Sequence, residues 1–272
     1  MRHLLAVVFV VALLVVASGL AVYADNFSNG DFENGTFSGW TLGGGTWYDP
    51  IKYPVAPFVP AVGDPGKSAI TDVGTDARTL NNLNTVFAGN HAARVNNYDN
   101  GGHFTTLTQA VQNWTQDTIY FAWAAVLEEP PNSHIDPGGQ SGAPHFTIKL
   151  TDTSNSLVLY DQSFDVYNPP AGVSWMDGQT PGDGAQDGGA SVWKYCPWQV
   201  AELDTSAYHG DTFVMTVAAY DCGWADSSTT GHGGYAYVDQ FGGRPPVPEP
   251  GTLALMALGL PMAGLLRRRK RS

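Results

Sequence analysis

Between its two apolar ends, this chain has no long segment with helical periodicity. Short runs rich in Val, Ile, Thr, Tyr, Phe and Trp alternate instead with clusters of Gly, Asn, Asp and Pro. Branched and aromatic residues fit a pleated, half-buried surface, while Gly, Asn, Asp and Pro supply the turns between such surfaces. The runs 118–126, 145–150, 157–160, 212–220 and 235–241 each predict a strand, and residues 151–156 predict a hairpin loop. Thirty-two Gly and 18 Pro imply many strands with many turns. No repeat of blade or solenoid period is visible. A two-sheet antiparallel sandwich is therefore favoured over a barrel or propeller. The Gly- and Asp-rich stretch from Asp177 to Gly189 predicts a surface loop.

The two ends read as addresses and not as parts of the fold. Met1-Arg2-His3 is a short basic start, Leu4 to Val16 is apolar, and Val22-Tyr23-Ala24 puts small residues at a cleavage position. That pattern predicts a secretory signal peptide over 1–24. At the other end, Val247-Pro248-Glu249-Pro250 precedes an apolar run from Leu253 to Leu266, then Arg267-Arg268-Arg269-Lys270-Arg271. From Gly251 to Leu266 a helix would extend roughly 24 Å at 1.5 Å per residue, slightly short of a full bilayer core. The basic end would stay on the cytoplasmic side.

This rigid turn, greasy segment and basic stop resemble the PEP-CTERM sorting signal of exopolysaccharide-producing Gram-negative bacteria, in which an exosortase processes the tail. The resemblance implies a sorting motif at Val247, Pro248, Glu249 and Pro250 within residues 244–272. It implies an exosortase as processing partner, transient anchoring in the inner membrane, and delivery to the cell surface or extracellular matrix. Membrane contact is expected only through this tail.

Residues 25–243 remain as the exported body, long enough for a substantial core. From Asp25 through Arg244 the chain carries about 24 acids against seven bases, near −17. Such a surface repels nucleic acid and anionic lipid and attracts divalent cations. Cys196 and Cys222 are the only cysteines. In an oxidising compartment they are expected to form a disulfide, which would contribute roughly 3 kcal/mol in the chain-entropy model.

Two local patterns add detail. Asn29-Gly30-Asp31-Phe32-Glu33, followed by Gly39-Trp40, resembles the opening strand of galactose-binding-like carbohydrate modules. Tyr235-Ala236-Tyr237-Val238-Asp239 is similar to their closing strand. The resemblance implies a β jelly roll. It also implies a structural Ca²⁺ held by Glu33 and Asp239 together with backbone oxygens, since Ca²⁺ takes about 6–8 oxygen ligands. The alternative is that the two carboxylates simply meet backbone donors or solvent. Trp47, Tyr48, Trp175 and Trp224 lie in expected loops, where aromatic faces could stack on sugar rings.

Catalysis has little support. Glu128 and Glu129 are neighbours on a strand and point to opposite faces, so they cannot flank one glycosidic bond. No nucleophile elbow, zinc-protease helix motif or phosphate loop is present. The expectation is a non-catalytic, exported all-β jelly roll associated with exopolysaccharide or biofilm. The competing expectation is a lectin-like module with a definite sugar ligand. Exposed loop tryptophans would favour the lectin, and buried ones the matrix component.

Overall fold

The computed structural model describes residues 27–46, 59–61, 66–99, 102–130, 142–180, 191–223 and 231–247. In chain order its strands are β1 (Thr41–Thr46), β2 (Val59–Ala61), β3 (Ala69–Asp72), β4 (His91–Val95), β5 (His103–Val111), β6 (Thr118–Glu129) and β7 (His145–Asp152). They continue with β8 (Leu157–Phe164), β9 (Met176–Asp177), β10 (Val192–Tyr195), β11 (Gln199–Asp204), β12 (Phe213–Tyr220) and β13 (Gly234–Gly242). The first sheet runs β2-β1-β5-β12-β7-β8. The second runs β3-β4-β13-β6-β10-β9, with β11 also on β6. All of these pairs are antiparallel. The chain is a two-sheet antiparallel sandwich, as its strand rhythm predicts.

β6 shows how the residues make the layers. Its odd positions Ile119, Phe121, Trp123, Ala125 and Leu127 enter the core between the sheets, while Ala124 and Val126 face outward into a second apolar cluster. Opposite them, Phe146, Ile148 and Leu150 of β7 and Phe213, Met215 and Val217 of β12 enter from the first sheet. Each such side chain contributes about 1.5–3 kcal/mol of transfer free energy, and Phe121→Ala would cost about 3–5 kcal/mol. One edge of β6 is too long for a single short partner: β10 covers residues 126–129 and β11 covers 118–123. The expected hairpin loop joins β7 to β8 but is shorter than 151–156: Thr151 and Asp152 still pair with Val158 and Leu157, and residues 153–156 make the turn, with Ser156 in the left-handed region at φ 57°.

The opening motif forms no strand. Residues 27–40 make a series of turns, with Asn29 and Phe32 at φ 51° and 56°. The Asn29 side-chain amide holds the carbonyls of Thr36 and Ser38, and the segment reaches the sheets only at single points, as where Ser28 exchanges hydrogen bonds with the Gln109 side chain of β5. Phe27, Phe32 and Trp40 then cluster on Phe241 at the end of β13. Gly30 permits this approach: the Phe241 N–H donates to its carbonyl at 2.8 Å, and a Cβ there would meet the Phe241 oxygen at 2.3 Å.

Candidate functional site

The β3–β4 connection folds back over the outer face of the second sheet. Asp76 caps a short 3-10 turn, Ala77–Thr79, by accepting the Arg78 N–H at 2.7 Å. Leu80 and Asn81 take left-handed conformations at φ 57° and 62°, which reverse the chain. Leu83 then returns its carbonyl to the Asp76 N–H at 2.9 Å. Leu83 packs with Trp193 of β10 and with Tyr235 and Tyr237 of β13. These two tyrosines are the outward alternates of Ala236 and Val238, which point into the main core.

Asp76 is buried, and its Oδ2 accepts both phenols, Tyr235 at 2.7 Å and Tyr237 at 2.9 Å. Burial pushes both phenol pKa values far up, and the neighbouring Asp76 charge pushes in the same direction. The protons therefore stay on the tyrosines, which are fixed donors to Asp76 and not bases. Their oxygens can still accept hydrogen bonds from a ligand.

Beside this lock opens a cleft of about 680 Å³, within the range of small-ligand sites. Its walls include Thr71, Asp72, Thr75, Asp76, Arg78, Arg94, Tyr98, Tyr235 and Tyr237. Tyr98 is 49% exposed at the rim. The Arg78 guanidinium lies 5.2 Å from the centre of its ring and 5.5 Å from that of Trp193. Arg94, an outward residue of β4, lies 5.9 Å from the centre of the Tyr235 ring. The cleft thus combines aromatic faces, hydroxyls and two guanidinium groups, a set suited to holding a polar ligand. A second hollow of about 400 Å³ lies where Asn29 and Asp31 meet Gln240 and Pro245–Val247.

The residues expected from sequence fall elsewhere. Glu33 and Asp239 converge on one segment but do not build a calcium cage. Glu33 Oε1 accepts the Asn90 and His91 amides at 2.7 and 2.9 Å, and Oε2 accepts the Asn90 side chain at 3.0 Å. Asp239 Oδ2 accepts the Phe87 and Ala88 amides at 3.2 and 3.1 Å, and Oδ1 accepts that of Gln240. Each of the four oxygens already meets a donor. No group of three His, Cys, Asp or Glu suited to a metal occurs among the described residues. The residues present fit amide capping.

Trp175 is half-buried, not a free platform: its ring packs against the main core and its indole N–H donates to the Asp165 carbonyl at 3.1 Å. Trp47, Tyr48 and Trp224 lie outside the described residues. The expected bond between Cys196 and Cys222 is absent from the structure, and both thiols are buried. Cys196 belongs to the main core, where its Sγ accepts the Ala125 N–H at 3.2 Å. Val247 is exposed, and Pro248, Glu249 and Pro250 lie outside the described residues. Glu128 is buried and accepts from Ser191 and Gly233, whereas Glu129 pairs with Lys194. The two carboxylates do not face one cleft.

Asp76, Arg78, Arg94 and Tyr98 were not singled out by sequence. The one local signal was the pair Tyr235 and Tyr237, which share the outward face of a strand.

Residues 246–271 match the PEP-CTERM protein-sorting motif. The tail is thus an exosortase-dependent export signal with a membrane-anchoring segment. No curated protein matches the chain. Among solved structures it is similar to TmCBM61 in complex with beta-1,4-galactotriose, at 12% identity over 81% of this chain and 97% of that one, with a TM-score of 0.39. The C-terminal family 22 carbohydrate-binding module of Clostridium thermocellum Xyn10B matches at 13% identity over 84% of this chain and 98% of that one, TM-score 0.29. The K2 cleaved adhesin domain of Lys-gingipain matches at 14% identity over 78% and 93%, TM-score 0.35.

Proposed function

We propose that this exported sandwich is a non-catalytic glycan-binding protein, and that its ligand lies in the cleft on the outer face of the second sheet. The sorting tail would deliver it to the cell surface or to an extracellular polysaccharide matrix. The observation that carries the reading is the lock of Tyr235 and Tyr237 on Asp76 in the wall of a cleft rimmed by the half-exposed ring of Tyr98. Polar groups fixed before a ligand arrives lose little entropy on binding, and an exposed ring can stack on a sugar face. The same lock argues against catalysis. The phenols keep their protons, Asp76 is engaged by three donors, and Glu128 and Glu129 are separately occupied.

A purely structural matrix role is the second reading, favoured by the burial of Trp40, Trp114, Trp123 and Trp193. Affinity electrophoresis of the mature body through a panel of neutral and acidic polysaccharides separates the two. At least one polysaccharide should retard the protein, and Tyr98→Ala should weaken that binding by about tenfold, the scale of one lost aromatic contact. Free migration through every gel would overturn glycan binding and leave the structural role.

A further inference from the structure

The basic residues of this acidic body are distributed unequally. Lys67 sits on Asp99 at 2.8 Å, Lys149 on Asp161 at 2.9 Å, and Lys194 on Glu129 at 3.1 Å. The two arginines of the cleft differ from these lysines. The Arg78 guanidinium is stacked against Tyr98 and Trp193, and makes no hydrogen bond or ion pair among the described residues. Arg94 donates from Nε to the Asn96 carbonyl at 3.0 Å and from Nη2 to that of Lys67 at 3.5 Å, and it too forms no ion pair there. Stacking occupies the face of a guanidinium and leaves its edge, a planar fork of N–H donors matched to a carboxylate.

We infer that Arg78, assisted by Arg94, makes this cleft selective for carboxylate-bearing saccharides, such as polymers of uronic acids, over neutral saccharides of the same backbone. The inference rests on the glycan-binding reading above. The acidic surface does not oppose it at contact range, because at physiological ionic strength charges beyond about 8 Å are largely screened. Of the two carboxylates in the cleft wall, Asp76 is already met by two phenols and the Arg78 amide, and Asp72, exposed at the rim, lies 2.9 Å from the His91 Nδ1.

The test is titration of the mature body with alginate and polygalacturonate, each beside its methyl-esterified form, in buffer containing EDTA. Esterification removes the charge and keeps the sugar. At least one free acid should bind about tenfold or more tightly than its ester, the scale of a charge-assisted hydrogen bond. Arg78→Gln should lower that ratio by about tenfold, and Arg78→Lys should restore it only in part, because a lysine lacks the planar fork. Melting temperatures of both variants report that the fold is intact. Equal affinity for acid and ester would overturn the charge selectivity and leave glycan binding standing. Binding of neither form, with EDTA or without it, would overturn both. Poly-L-glutamate bound as tightly as the best uronate would overturn the saccharide assignment. Binding seen without EDTA and lost in its presence would show a bridging divalent cation and overturn the role of the guanidinium.

Discussion

Asp76 and Tyr235 stand 159 positions apart in the chain and meet at 2.7 Å, phenol to carboxylate, on the outer face of the second sheet. Tyr237 joins them at 2.9 Å on the same oxygen. This contact fastens the β3–β4 connection to β13 and thereby shapes the cleft. Asp76→Ala would leave two buried phenols without an acceptor, at about 1–3 kcal/mol for each unsatisfied group. Denaturant unfolding at neutral pH should show a loss of about 2–6 kcal/mol. A loss below 1 kcal/mol would mean that the connection is held mainly by Leu83 and its apolar neighbours.

Glu33 and Asp239 clamp one segment from two sides, and Gly89 lies between their contacts. Gly89 has φ +77°, and a Cβ there would meet Glu33 Oε1 at 2.3 Å. Gly89→Ala should therefore destabilise by roughly 2–4 kcal/mol, combining backbone strain with the steric clash. In a Glu33→Ala background the same change should cost less, because one source of the clash is gone. A double-mutant cycle measures that difference, and strict additivity would contradict the geometry.

The pH dependence follows from burial. Burial raises the Asp239 carboxyl to about 8 from the usual 3.8, against the opposing pull of the Ala88, Gln240 and Phe87 amides. Burial likewise raises Asp221 to about 7, opposed by His103. The folded state therefore holds these protons more tightly than the unfolded chain. The stability they contribute is fully present below about pH 4 and is lost as pH rises through 7 and 8. Urea unfolding between about pH 5 and 8.5 should show Asp239→Asn losing less stability than the parent over that range. Parallel profiles would show that Asp239 does not titrate there.

Cys196 offers a chemical readout of the core. Burial pushes its thiol up to about 12, outweighing the Ala125 amide. A thiolate is the reactive form, so iodoacetamide should modify Cys196 only after unfolding. A peptide map of native protein that shows rapid labelling, or a cross-link to Cys222, would contradict the structure.

The sorting tail is tested separately from the body. Replacing Glu249 and Pro250 with alanine should leave an uncut precursor in the inner membrane of the native host. Mature protein of unchanged mass and yield at the surface would reduce the tail to an anchor.

The sequence by itself determined the layers and the route of export. An alternating strand such as β7 commits each residue to one face, and a basic stop after a greasy run needs no folding partner to be read. These are local properties, visible within about ten to twenty residues. The tertiary structure decided everything that joins distant positions. It turned Asn29–Glu33 from an expected strand into a turn that bonds β13 through the Gly30 carbonyl, and it gave the Glu33 and Asp239 carboxylates amide donors on the segment 87–91. It also placed Trp175 against the core and left Cys196 in the core without a bond to Cys222. Tyr235 and Tyr237 could be assigned to one strand face from their spacing, but nothing near them names Asp76 as their acceptor. That choice was made when the β3–β4 connection, after two left-handed residues, folded back onto a sheet whose strands come from the far end of the chain.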